Sequence, residues 1–239
     1  MLGRFHEISI ETADIADSVA FYEKLGFSQC GTTDTWPHPY GVLTDGKIFI
    51  GLHQFKFPSP TLTYVRAGVE QHAHVIEKHG IDLAWKRVGE DVFNEFGFLD
   101  PSGQAVRIQE AATHFSGDRE GGEPSLCGDF AEYSVPAGDF QPLREFWEPL
   151  GFVAMEETDT PYPRMSMTSD HLDLGVHRPR LVDAPMLVFA SADMSDRIEN
   201  LRTQGCEFAD PLPRGLDPRH SALLLAPEGT ALLLLNSVD

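Results

Sequence analysis

The first eleven residues set a period of two. Polar Glu7, Ser9 and Glu11 alternate with apolar Ile8 and Ile10, the pattern of a strand with one buried face. The period then changes. Ile15, Val19 and Tyr22, with Ser18 and Leu25 alongside, recur at helical spacing; Asp14 stands where an N-cap belongs and Gly26 where the helix should stop. "VLTDGKIFIGLH" predicts a hairpin turning through Asp45-Gly46 as a type I′ turn. From Thr61 the order restarts: strand "TLTYVR", a helix over roughly Val69 to His79 halted by Gly80, and a hairpin around Pro101-Ser102-Gly103.

The second half repeats the first. "EISIETADIADSVAFYEKLGF", from Glu7, aligns without a gap on "EYSVPAGDFQPLREFWEPLGF", from Glu132, pairing Ser9 with Ser134, Asp14 with Asp139, Phe21 with Phe146 and Gly26 with Gly151. The register continues through "TDT" at Thr33 and Thr158. After one deletion it resumes at "IGLH", ending at His53, and "LGVH", ending at His177. Four β-α-β-β-β units are expected, starting near Glu7, Thr61, Glu132 and Met186. They form two tandem α+β domains, 1–112 and 126–239, joined by the polar, Gly-rich linker 113–125.

Composition narrows the partners. Lys and Arg number 18 against 37 Asp and Glu, a formal charge of −19. That balance disfavours nucleic acid and anionic membrane surfaces, while leaving room for a local Arg to receive an anionic small molecule. No apolar stretch is long enough to span a bilayer, and Met1-Leu-Gly-Arg-Phe-His-Glu lacks the apolar core of a signal peptide, so a cytoplasmic protein is expected; as an assembly, a monomer and a homodimer both stay open. Cys30, Cys127 and Cys206 form neither a disulfide framework nor a C-x-x-C motif.

The phrases "FYEKLGF" at Phe21 and "FLDPSGQAVRI" at Phe98, with "FWEPLGF" at Phe146 and the weaker "LAPEGTALLLL" at Leu225, resemble the vicinal oxygen chelate superfamily of glyoxalases, bleomycin-resistance proteins and extradiol dioxygenases. The resemblance implies curled mixed sheets that form cups. In metal-dependent members each cup holds a divalent ion on His, Glu or Gln. Carried over by register, those positions are Glu7, Gly51, Thr61 and Arg107 in the first copy and Glu132, Gly175, Met186 and Leu233 in the second. Only the two Glu are strong ligands, so the usual metal site is expected to be absent, with no cofactor. A weak divalent metal on Glu7 and His53 remains the alternative. A one-residue slip would put His6 in place of Glu7; the gapless repeat favours Glu7.

Residues two apart on a strand share a face. The first cup is therefore expected to present Glu7, Ser9, His53, Thr61, Thr63, Arg107 and Gln109, and the second Glu132, Ser134 and His177 among apolar Met186 and Leu233. Two readings stay open for Glu7 and Arg107. In one, Arg107 holds a substrate carboxylate while Glu7 or His53 acts as base. In the other, the two form a buried ion pair. The segment Thr35-Trp-Pro-His-Pro-Tyr40 offers Trp36 and Tyr40 as a pocket lip for a planar ligand, or else a rigid loop over the sheet edge; Thr160-Pro-Tyr-Pro163 is its counterpart. His72, His74 and His79 are expected to face solvent. The function expected is binding of a small organic molecule without the usual metal. The alternatives are a metal-dependent lyase, isomerase or dioxygenase, or a non-catalytic scaffold with degenerate cups. Which units pair within a sheet is open.

Overall fold

The computed structural model describes residues 1–31, 36–110 and 124–237. The first half runs β1 (Arg4–Glu11), α1 (Ile15–Lys24), β2 (Ser28–Cys30), β3 (Tyr40–Thr44), β4 (Phe49–His53), β5 (Thr61–Arg66), α2 (Val69–Lys78), β6 (Leu83–Arg87), β7 (Glu95–Leu99) and β8 (Ala105–Glu110). The second runs β9 (Asp129–Pro136), α3 (Gln141–Trp147) with a 3₁₀ turn at Glu148–Leu150, β10 (Val153–Ala154), β11 (Arg164–Thr168), β12 (Leu174–His177), β13 (Met186–Ser191), α4 (Met194–Thr203), β14 (Ser221–Leu225) and β15 (Ala231–Asn236). The linker expected at 113–125 and the match at Thr33 lie largely outside the described residues.

The strands form two open mixed sheets, β2-β3-β4-β1-β5-β8-β7-β6 and β10-β11-β12-β9-β13-β15-β14. Units one and two therefore share one sheet, joined by antiparallel β1 and β5, and units three and four share the other, joined by β9 and β13. The fold is α+β, with tandem copies of one plan. The fourth unit departs from that plan. Residues 206–220, the counterpart of the span holding β6, form no strand among the described residues. Pro211, Pro213 and Pro218 fall there, and proline cannot donate to a ladder.

Alternation sorts the faces. Ile8, Ile10, Ile50, Leu52, Leu62, Tyr64, Val106 and Ile108 pack on the helices, and their equivalents in the second sheet join the same apolar core. Each such side chain contributes roughly 1.5–3 kcal/mol by leaving water. Asp14 caps α1 as expected, accepting from the Ala16 and Asp17 amides at 2.9 and 3.3 Å, a contribution of about 1 kcal/mol. Two expectations are corrected. Asp45 is not the first central residue of a type I′ turn, because among the described residues only glycines have positive φ; its carboxylate accepts instead from the Lys47 and Ile48 amides at 2.9 Å. His72 is buried, on the α2 stripe formed with Val69, Ala73 and Ile76; burial pushes its pKa down to about 4. His74 and His79 face solvent.

The copies grip each other reciprocally. Trp147 Nε1 donates to Asp100 Oδ2 at 3.1 Å, and Tyr22 Oη donates to Glu228 Oε1 at 2.7 Å. Tyr22 and Trp147 are equivalent positions of the repeat, each reaching the last-hairpin turn of the other copy.

Candidate functional site

The face of the first sheet turned away from the helices carries the polar set. Glu7, Ser9, Gly51, His53, Thr63 and Arg107 fall on it by strand alternation and register: Ser9 pairs with Gly51, Glu7 with Thr63, and Thr63 with Arg107. Gly51 makes room for the acid. A Cβ there would lie 2.2 Å from Glu7 Oε1, so the carboxylate rests on bare backbone. Gly175 serves Glu132 in the same way, at 2.3 Å.

Glu7 is buried, and its oxygens face donors. Ser9 Oγ donates to Oε1 at 2.8 Å, His53 Nε2 approaches the same oxygen at 3.2 Å, and Tyr40 Oη donates to Oε2 at 2.5 Å. Because the Ser9 proton goes to Glu7, Thr63 Oγ1 must donate to Ser9, 2.7 Å away. Burial alone would raise the Glu7 pKa. The His53 hydrogen bond, the charges of His6 and His53 and the Tyr40 hydroxyl outweigh it and hold the group near 2.

The chain of contacts extends past the residues expected. His53 Nδ1 lies 3.0 Å from His38 Nε2. His38 Nδ1 is shielded from solvent and has no hydrogen-bond partner among the described residues. Burial, followed by the nearby His53 and Arg107, lowers the His38 pKa below 6.5. Aromatic rings enclose the pair: His38 stacks on Phe55 at 4.8 Å, and Trp36 meets His53 edge-on at 5.2 Å. Arg107 lies 5.9 Å from the Trp36 ring and 5.5 Å from that of Phe57. It does not form the ion pair with Glu7 that was one of the two open readings. Its Nε is 3.5 Å from Glu95 Oε2 and has no hydrogen-bond partner among the described residues.

The structure thus brings Glu7, Ser9, His53, Thr63, Tyr40, Trp36 and Arg107 together. Thr61 is turned aside, its hydroxyl donating to the Pro58 carbonyl. Gln109 is buried on the strand that carries Arg107, and its Oε1 has no partner among the described residues. His6 was set aside as a register slip, but a bulge between Phe5 and Glu7 places its Nε2 3.8 Å from Glu7 Oε2. His38 stood in the aromatic-proline segment without being singled out; no strand periodicity reports its contact with His53. Thr35 lies outside the described residues.

Glu132 and His177 occupy a different setting. Glu132 accepts from Ser166 Oγ at 2.6 Å, while its Oε1 has no partner among the described residues. Burial raises its pKa. His177 is clamped between Ser134 Oγ and the Val182 carbonyl, each at 2.8 Å, and burial lowers its pKa. The carbonyl fixes the proton on Nε2, leaving Nδ1 to accept from Ser134. Beside them the sheet face carries an apolar cluster of Tyr162, Met186, Val188, Leu223, Leu233 and Leu235, to which Leu216 of the irregular 206–220 segment is added.

Neither set of positions carried over by register supplies the donors of the usual divalent-ion site. In the first cup Gly51 offers no donor, Thr61 faces a carbonyl, Arg107 brings positive charge, and the Glu7 oxygens are engaged by hydroxyls and His53. In the second, Met186 and Leu233 lie in the apolar cluster. Among the described residues no group of three or more His, Cys, Asp or Glu is arranged to hold a metal, and no helix is long and apolar enough to cross a membrane.

No protein-family model and no curated protein sequence matches the chain. Solved structures do. A catechol 2,3-dioxygenase aligns over 100% of this chain and 89% of its own, with a TM-score of 0.63 at 12% identity. A homoprotocatechuate 2,3-dioxygenase variant from Brevibacterium fuscum aligns over 100% and 72%, with a TM-score of 0.61 at 17% identity. A halotolerant catechol dioxygenase aligns over 100% and 89%, with a TM-score of 0.60 at 12% identity. With its two sheets, reciprocal units and shared strand order, the chain has the vicinal oxygen chelate fold in two tandem copies.

Proposed function

We propose that the first cup binds a small planar organic anion and exchanges a proton with it without using a metal. The observation that carries this reading is the chain Glu7–His53–His38, which ends at an unpartnered imidazole nitrogen beside Arg107 and a set of aromatic rings. With Glu7 ionised and both rings neutral, His53 donates from Nε2 to the carboxylate, and its Nδ1 accepts the Nε2 proton of His38. His38 Nδ1 then bears a lone pair. A proton taken there lets the Nε2 proton move to His53, where Glu7 stabilises the new charge. The lowered pKa of His38 keeps it neutral, and so basic, at neutral pH. Arg107 supplies the anion contact and Trp36 a stacking face.

The test is calorimetric titration of chelator-treated protein with 4-hydroxybenzoate and related planar carboxylates, in parallel with Arg107→Ala and His38→Ala. One-to-one binding weakened in Arg107→Ala supports the reading; equal binding by Arg107→Ala would sink it. A metal-dependent dioxygenase is the second reading. It is favoured by the fold shared with the catechol and homoprotocatechuate dioxygenases and opposed by the donor set. Activity that appears only with added metal and disappears with a chelator would favour it.

A further inference from the structure

We infer that the second copy carries a separate anion site, at an arginine-lined cavity built from the loops beside the apolar cluster rather than from the sheet. A cavity of about 650 Å³ is bordered by Arg178, Arg180 and Arg214, with Tyr162, Pro163 and Leu181 as apolar wall. No acidic residue lines it, although acidic residues outnumber basic ones 37 to 18 along the chain. Three other arginines of the second copy do meet carboxylates: Arg197 meets Asp193 at 2.7 Å, Arg219 meets Asp217 at 2.7 Å, and Arg202 meets Glu199 at 3.6 Å. The three at the cavity have no carboxylate partner among the described residues. Arg178 is held in place, donating to the Gly138 carbonyl and lying 4.1 Å from the centroid of Phe140.

Three guanidinium groups without counter-charge around one concavity form a receptor for oxyanions, since each offers forked N–H donors that match phosphate or carboxylate oxygens. The Tyr162, Pro163 and Leu181 wall selects an anion with an apolar body. The ligand class is therefore a small organic dianion, a phosphate monoester or a dicarboxylate, seated apart from the Glu7–His53–His38 chain. Its loops belong to the second copy alone: Arg214 lies in the 206–220 segment that replaces the strand equivalent to β6.

The test is calorimetric titration of the full chain with phenyl phosphate and, separately, phthalate, at low and at raised ionic strength. With the anion contact of the first cup removed by Arg107→Ala, at least one probe is expected to bind one-to-one, more weakly at high salt. The exposed pair Arg180→Gln/Arg214→Gln should weaken it about tenfold or more, with an unchanged melting profile as the folding check. Saturable binding at the second site should persist in Arg107→Ala, whether or not the first cup takes the probe. Phenyl phosphate alone binding would assign the phosphate class, and phthalate alone the dicarboxylate class. Absence of saturable binding for both probes, undiminished binding in the double variant, or loss in Arg107→Ala would overturn the site.

Discussion

Replacing Glu7 with Gln should remove an acid-sensitive part of the stability of the fold. In the folded chain the carboxyl is held near 2, against an ordinary 4.5. A folded value below the unfolded one means that the stabilisation is complete above pH 4.5 and disappears as pH falls toward 2. The difference is worth roughly 3 kcal/mol at neutral pH, of which about 2 kcal/mol is gone by pH 3. Glu7→Gln has no such linkage. Its amide also turns an N–H₂ toward the Tyr40 or His53 donors, a cost that does not change with pH. Urea unfolding of both proteins, followed by circular dichroism at pH 7 and pH 3, separates the contributions. The stability gap should be large at pH 7 and smaller by about 2 kcal/mol at pH 3. An equal gap at the two pH values would refute the claim that Glu7 is an ionised, hydrogen-bonded acid in the folded cup.

Further outcomes follow from the same geometry. Glu132→Gln should have the opposite sign: burial raises the Glu132 pKa, so the variant should melt higher than the parent at pH 8, with the difference shrinking toward pH 4. Gly51→Ala should drive a methyl into the Glu7 carboxylate and cost about 1–3 kcal/mol, measured by urea unfolding, together with loss of the proposed ligand binding. Trp147→Phe should cost more stability than Tyr22→Phe, because it leaves Oδ2 of the buried Asp100 without its donor whereas Glu228 keeps access to water; thermal melts of the two variants make the comparison.

Much of this site could be read before any fold was known. The alternation from Glu7 to Glu11 assigned Glu7 and Ser9 to one face, and the two-residue step from Gly51 to His53 did the same for β4. Strand pairing then needed only register to join them. His72 was also readable, since Val69, Ala73 and Ile76 make a stripe that includes position 72; treating the helix histidines as one solvent-facing group obscured it. Other features depend on the third dimension. His6 reaches Glu7 through a bulge that strict period-two reading forbids. His38 joins through a loop, by a tertiary contact with His53 that no strand period reports. Arg107 shares the sheet with Glu7 but meets Glu95 of β7, a choice set by strand order. The apolar second cup reflects both visible and hidden causes: Met186 and Leu233 were legible on its strands, whereas the contribution of Leu216 depends on where the 206–220 segment runs.

The central claim is that Glu7 serves the His53–His38 chain rather than a metal ion. Metal stoichiometry tests it most directly. The full chain and Glu7→Gln would each be incubated with Fe²⁺, Mn²⁺, Ni²⁺ and Zn²⁺ in turn, desalted, and analysed by mass spectrometry for bound metal per chain. The engaged carboxylate and the cationic Arg107 predict far less than one metal per chain, with no difference between the two proteins. One tightly held ion per chain in the parent protein, lost in Glu7→Gln, would contradict the claim.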